Sequence, residues 1–422
     1  MSPNIELINT GSELLLGRVL NTHQQWLAQQ LGARGYEISR QICVSDDGAS
    51  IQGAAREALG RADFVLTTGG LGPTSDDITR DLIAQLLNRP LAMDPAVLEQ
   101  IEKMFQRIKR PMPASTKVQA MVPSGAIVLR NANGTAPGLA MEVNPNPFRP
   151  DNRRSWLVLL PGPPRELRPM FTEQVLPLLE KQFPLDQAFV CRTLHTTGMG
   201  ESMVEEKISK PLQALVAQGL ELGYCARVGE VDVRFVARGE KAAALAGQAE
   251  EIVRGLLGKL IFGVDAENLE STIVALLTRQ GKTLALAESC TGGWIANRIT
   301  NVPGASAVLM AGIVSYSNEA KKNLLGVSEE TLREHGAVSA AVARQMAEGV
   351  KNRNKTDFGL SVTGIAGPSG GTAEKPVGTV FIGLAGPGET IVEERTNRFD
   401  RETFKFVTSQ QALDLLRRNI PD

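Results

Sequence analysis

The run Thr67-Thr68-Gly69-Gly70-Leu71-Gly72-Pro73-Thr74-Ser75-Asp76-Asp77 restricts this chain more than any other stretch. Phe64-Val65-Leu66 before it reads as a short buried strand, and Ile78, Leu82, Ile83 and Leu86 after it recur at helical spacing. The run is therefore a strand-to-helix crossover, and its glycines admit backbone conformations closed to other residues. Amides entering a helix favour an anion, so Gly69, Gly70, Gly72 and Thr74 are the candidates to hold a phosphate. Asp76 and Asp77 would repel a bare phosphate but attract one that carries a divalent cation, because paired carboxylates are hard oxygen ligands. Taken alone, the same residues also describe an N-cap aspartate after an ordinary turn.

The grammar repeats along the first half of the chain. A strand at 5–8 runs into Thr10-Gly11-Ser12-Glu13 and an expected helix through Leu20, Trp26, Leu27 and Leu31. A second strand, 36–44, ends at Ser45-Asp46-Asp47 before a helix over 49–59. Three successive β-α units with acidic residues after the strands predict an α/β fold with a parallel, doubly wound sheet, whose ligands lie outside the strand C-termini. Beyond it come an amphipathic helix at 95–109, stopped by Pro111-Met112-Pro113, and strand-like runs within 126–143. Three prolines within 144–152 mark an exposed excursion. The buried strand 156–160 then opens into Pro161-Gly162-Pro163-Pro164-Arg165-Glu166 and a helix to Lys181, so the first domain is placed at 1–183.

Residues 184–264 read as a small α+β module in the order β-α-β-β-α-β, a split βαβ or KH-like pattern, with its first helix interrupted near Pro211. Gly198-Met199-Gly200-Glu201 has the outline of an RNA-clamping loop, but no basic run surrounds it, so a spacer or dimerisation role is preferred. The whole chain balances 45 basic against 46 acidic residues, which provides no general attraction to nucleic acid or anionic lipid. Cysteines at 43, 191, 225 and 290 form no C-x-x-C pair, and histidines at 23, 195 and 335 have no zinc spacing. No stretch approaches the about 18 apolar residues of a membrane span. A cytoplasmic protein without a signal peptide is the expectation.

The C-terminal domain, 265–422, carries the second constellation. A strand at 283–287 leads to Glu288-Ser289-Cys290-Thr291-Gly292-Gly293 and a helix. Ser289 would stand at the helix mouth, with the amides of Thr291, Gly292 or Gly293 placed to hold an oxyanion. A serine nucleophile needs a base, and His335 reads as a helix end, so Lys321 is the remaining candidate. It follows the strand expected beside that of Ser289, and burial would lower its pKa. An N-cap serine and a surface lysine remain the alternative from these residues alone.

Five motifs in one order resemble the bacterial CinA proteins: Thr-Thr-Gly-Gly-Leu-Gly-Pro-Thr-x-Asp-Asp at 67–77, Pro-Gly-Pro-Pro-x-Glu at 161–166, Glu-Ser-Cys-Thr-Gly-Gly at 288–293, Tyr-Ser-Asn-x-x-Lys at 316–321 and Thr-Gly-Ile-Ala-Gly-Pro at 363–368. The resemblance spans essentially the whole chain. It implies an N-terminal molybdopterin-binding-like domain acting as an ADP-ribose pyrophosphatase with a divalent metal (Mg, Mn or Co), a KH-like middle, and a C-terminal nicotinamide mononucleotide deamidase needing no cofactor. It makes Ser289 the nucleophile and Lys321 its base, with Tyr316 assisting, and places Thr363, Gly364 and Arg401 on the nucleotide. An arginine suits the nucleotide's phosphate by forked hydrogen bonding. The partners expected are these small nucleotides and a second copy of the chain, with no membrane and no direct nucleic-acid contact. Two other functions fit the same motifs: an N-terminal domain that only binds a pterin or nucleotide, or a non-enzymatic partner protein in competence or DNA repair.

Overall fold

The computed structural model describes residues 3–421, which divide into two compact units, 3–191 with 238–240 and 192–237 with 241–421. The first unit is built on a six-stranded sheet in the order Ile38–Val44, Ile5–Thr10, Phe64–Thr68, Ser155–Leu160, Gly138–Val143, Ile127–Leu129. The first four strands are parallel, as expected, whereas the last two are paired antiparallel, Gly138–Val143 running against both of its neighbours. Their connections contain no helix that could carry the chain back over the sheet, and an antiparallel return is then the available route. Side chains alternate across the sheet with the strand period of two. Ile8 and Val65 join Ala55, Ala58, Ile83 and Ile101 on one face, while Leu7 and Leu66 join Leu27, Leu31, Phe171 and Leu179 on the other.

One local expectation is corrected and another is refined. The helix expected through Leu20 stops at Leu15 and restarts at Thr22, where the Asn21 side chain accepts from the Gln24 amide at 3.2 Å. Leu15, Leu16, Val19 and Leu20 stand in solvent, so their spacing did not report a core face. The proline-rich stretch 144–152 is exposed at most positions, its three prolines included, as expected, but it is anchored by two buried side chains. Asn146 is fully buried and donates to Leu59 O and Ser155 Oγ, at 2.8 and 2.9 Å, and Arg149 pairs with Asp63 at 2.7 Å. Polar side chains there satisfy backbone and side-chain groups that regular pairing leaves open.

In the second unit, a four-stranded sheet in the order Glu221–Arg227, Glu230–Arg238, Phe189–Thr197, Ile261–Val264 carries the helices Glu201–Val216 and Ala242–Leu257. The first helix passes through Pro211 without the expected interruption. Pro211 and Lys207 lie on its exposed face, where water can take the carbonyl that proline leaves unpaired.

The rest of this unit holds a five-stranded sheet, ordered Leu309–Val314, Leu284–Glu288, Phe358–Gly364, Thr379–Ala385, Ile391–Thr396. The first three strands are parallel, and Thr379–Ala385 runs antiparallel to both of its neighbours. From the wholly buried strand Leu284–Glu288 the chain goes to one neighbour and later returns on the other side, which opens a crevice at the strands' C-terminal ends. The helices Leu269–Gln280 and Arg401–Asn419 cover one face, and Ala340–Asn354 covers the other.

Ala340–Asn354 approaches the end of the short helix Asn318–Leu325 through Gly349, where a Cβ would lie 1.8 Å from Leu325 O. Alanine would gain about 1 kcal/mol of helix propensity, but displacing backbone in a packed region costs about 1–3 kcal/mol. Gly349→Ala should therefore lower the urea midpoint of the full chain. An unchanged or raised midpoint would mean the two helices can separate freely.

Candidate active sites

Ser289 follows Leu284–Glu288, an interior strand of the C-terminal sheet, and is strapped on both sides. Its amide donates to Val362 O at 3.0 Å, and the Ser315 amide donates to Glu288 O at 2.8 Å. Ser317 caps the helix Asn318–Leu325 by accepting from the Ala320 amide, which turns Lys321 back toward the strand ends. The Lys321 amine then lies 2.9 Å from Ser289 Oγ and 2.8 Å from Ser315 O. Lys321 is 1% exposed, and burial lowers its pKa from the ordinary lysine value. Among the described residues no carboxylate pairs with it. The neighbouring Cys290 is also buried, but burial pushes its thiol up to about 12, so it holds its proton and is no competing nucleophile.

The remaining expected residues fall into three groups. Tyr316 lends its carbonyl to Lys321 at 3.4 Å, but its exposed ring turns elsewhere and its hydroxyl accepts from Arg401 at 2.9 Å. Arg401 also donates to Gly367 O at 2.8 Å, so it is held at the mouth of the crevice by the loop after Phe358–Gly364. Thr363 is buried with its hydroxyl given to Ala337 O at 2.7 Å, and Gly364 is packed against Thr379 O. The two are therefore packed into the domain at the end of their strand, and the Thr363 hydroxyl is already committed. The proposed oxyanion donors also need correction. The Gly292 amide closes a turn onto Ser289 O at 3.1 Å, and the Gly293 amide donates to the Glu288 carboxylate at 3.0 Å. Thr291 is the one of the three whose amide is not used in this way.

Glu288 itself carried no assigned role in the sequence reading. It is 1% exposed and accepts from the amides of Gly293, Ile295 and Ala296 at 2.8–3.1 Å. A carboxylate here satisfies amides that open the helix Trp294–Thr300, and it complements the helix dipole. A glutamate ending an otherwise apolar strand just before a glycine turn was the available signal.

In the first unit, the glycine run lines a cleft of about 490 Å³ together with Thr10, Pro161 and His23. Gly69, Gly70, Gly72, Asp76 and Asp77 all reach it. Gly70 has φ +66 and a Cβ there would meet Thr79 Oγ1 at 2.0 Å, so glycine is required where the loop closes on its following helix. Thr74 is not free to hold a phosphate: its amide and hydroxyl donate to Asp77, at 3.0 and 2.5 Å. Among the described residues no group of three His, Cys, Asp or Glu could hold a metal. Two carboxylates beside a glycine loop still fit the donor set of a magnesium-like ion, which binds through one or two carboxylates plus substrate phosphates. Across the cleft, His23 Nε2 contacts Gly162 O at 2.5 Å. Glu166 accepts from Asn131 at 2.7 Å, and burial raises its carboxyl pKa.

The order of these parts matches known proteins. Residues 6–181 match the family described as probable molybdopterin binding domain, 191–263 the damage-inducible protein CinA KH domain, and 266–420 the CinA C-terminal domain. A putative competence-damage inducible protein of Caldicellulosiruptor bescii is 44% identical over 422 residues, covering 99% of each chain. The chain belongs to the CinA family. A CinA-like protein of Akkermansia muciniphila is 44% identical over 410 residues, 97% of this chain and 95% of that one. The crystal structure of a competence/damage inducible protein, CihA, from Agrobacterium tumefaciens is 43% identical across 35% of this chain and 91% of its own, with TM-score 0.35. This CinA-family chain thus joins a molybdopterin-binding-like domain, a KH-like module and a CinA C-terminal domain. None of its described helices is long and apolar enough to cross a membrane.

Removing the Glu288 carboxylate should leave buried amides unpaired at a cost of about 1–3 kcal/mol. Glu288→Ala is expected to lower the urea midpoint accordingly and to speed hydrogen exchange at residues 293–296. Unaltered exchange there would show that the carboxylate is not what holds the turn.

Proposed function

We propose that the C-terminal domain is a serine–lysine amidohydrolase acting on nicotinamide mononucleotide, and that the N-terminal domain hydrolyses ADP-ribose with a divalent metal. The observation carrying the first activity is the buried Lys321 amine 2.9 Å from Ser289 Oγ. A neutral amine there accepts the serine proton as Oγ attacks the carboxamide carbon. The Thr291 amide, the one of the three not committed to bracing the turn, would be the donor for the oxyanion. The ammonium form of Lys321 then returns the proton to the departing nitrogen, releasing ammonia. Water cleaves the acyl-enzyme to nicotinic acid mononucleotide, with Lys321 as its base. Arg401 at the crevice mouth suits the substrate's phosphate, and Tyr316 orients Arg401 through its hydroxyl. The chain would act as a homodimer in the cytoplasm.

Ser289→Ala and Lys321→Ala should each abolish ammonia release, Ser289→Ala with an unfolding midpoint near wild type, and Arg401→Ala should chiefly raise KM. Near-normal turnover in Ser289→Ala would remove the serine from the reaction. The base must be neutral, so activity is lost as pH falls through the Lys321 pKa. Burial lowers that pKa, so the acid limb should lie below the ordinary lysine range. A limb at or above that range would contradict the burial argument.

In the N-terminal cleft, Asp76 and Asp77 would hold the metal, and Gly69, Gly70 and Gly72 would hold the pyrophosphate. The metal, when bound, neutralises the phosphates and activates a water. The products would be AMP and ribose 5-phosphate. A second reading, a cleft that binds a pterin or nucleotide without cleaving it, draws on the engagement of Asp77 by Thr74. Incubation with ADP-ribose and Mg²⁺, Mn²⁺ or Co²⁺ separates them, because a binder yields no AMP. Asp76→Ala or Asp77→Ala, or EDTA, should abolish AMP release and spare the deamidase. EDTA inhibition of the deamidase would replace the serine–lysine scheme with a metal-activated water.

A further inference from the structure

The helix Trp294–Thr300 grows directly out of the Ser289 turn and is only two turns long, too short to hold its own orientation. One end is fixed by Glu288. The other carries Arg298, 8% exposed, whose guanidinium donates to Ser409 Oγ at 2.7 Å and Gln410 Oε1 at 2.6 Å and also bonds Glu270. The same guanidinium lies 5.3 Å from the centre of the Phe406 ring.

Gln410 is 1% exposed and uses its two ends in opposite directions. Its Oε1 accepts from Arg298, and its Nε2 donates to Glu230 Oε1 at 2.6 Å. That polarity is fixed, because a guanidinium can only donate and a carboxylate accepts. Glu230 opens the strand Glu230–Arg238 of the KH-like module, at the tip of its hairpin with Glu221–Arg227. Gly229, also at the tip, packs on the Gln410 side chain. Arg227 lies 3.3 Å from Glu230, and both Arg227 and His195 bond Asp232.

We propose that the KH-like module is a positioning element for the C-terminal active site: its hairpin tip, through Glu230, Gln410 and Arg298, fixes the helix on which the Ser289 turn is built. The proposal rests on the serine–lysine reading of that site. It gives a task to a module whose Gly198–Gly200 loop has no basic run beside it in the sequence. The leverage is geometric. Ser289 and Lys321 meet at 2.9 Å, and a displacement of about 1 Å between reacting groups costs on the order of a hundredfold in rate. Glu230, Gln410 and Arg298 are positioning residues, since none touches the reacting atoms.

The test uses the full chain. Glu230→Ala and Gln410→Leu should lower kcat for ammonia release from nicotinamide mononucleotide roughly tenfold to a hundredfold with KM little changed. Glu230→Gln keeps an oxygen that accepts from Gln410, so it should restore most of the rate. Hydrogen exchange at residues 293–296, measured without substrate, should quicken in Glu230→Ala and Gln410→Leu but not in Glu230→Gln. Normal kcat and normal exchange in Glu230→Ala would overturn the proposal, as would equal losses in Glu230→Ala and Glu230→Gln. If the wild-type chain releases no ammonia, the deamidase reading fails, and the exchange measurements alone decide whether the hairpin tip orders the helix.

Discussion

A lysine amine held out of water against a serine hydroxyl is the constraint around which the C-terminal domain is arranged. Burying an ammonium without a counter-ion is costly, and the group responds by giving up its proton more readily. Lys321 meets that condition: its amine donates to Ser289 Oγ and Ser315 O, and none of the described carboxylates balances its charge. The surrounding structure makes the arrangement possible. Adjacent parallel strands bring the ends at Glu288 and Val314 together, Gly349 lets a helix press on the end of the lysine's helix, and Glu288 holds the turn that presents the serine. Each of these features acts on the one short distance between amine and hydroxyl.

Both units place candidate chemistry at the C-terminal ends of parallel strands, and in both the loop first satisfies its own backbone. Asp77 takes two hydrogen bonds from Thr74, as Glu288 takes three from the helix beyond Ser289. Acidic residues in strand-to-helix loops can therefore brace the loop, meet a ligand, or do both in turn. At Asp76 and Asp77 a phosphate-borne cation would have to share its carboxylates with that bracing. At Glu288 burial and full hydrogen bonding leave bracing as the whole role.

The periodicity of apolar residues revealed the architecture because strand alternation and helix spacing are local properties. The pairing of Ser289 with Lys321 was legible for a related reason: two strand–loop–helix units in succession usually lie side by side, so residues at matching positions meet. What escaped was decided by distant partners. The hydroxyl of Tyr316 finds Arg401, Thr363 finds Ala337 O, and Asn146 finds Leu59 O, and no local pattern encodes those choices. Leu15 to Leu20 misled for the opposite reason, since apolar spacing persists there without a core to bury it. The path from Glu230 to Arg298 joins segments far apart in the chain and was invisible until the fold brought them together.

The protonation state of Lys321 is the most direct test of this account. Titrating the full chain with ¹⁵N-labelled lysine, and assigning the Lys321 amine by its loss in Lys321→Met, would give that pKa without any substrate. The account predicts a midpoint below that of the exposed lysines in the same spectrum. A Lys321 amine that titrates with those lysines, or above them, would contradict it.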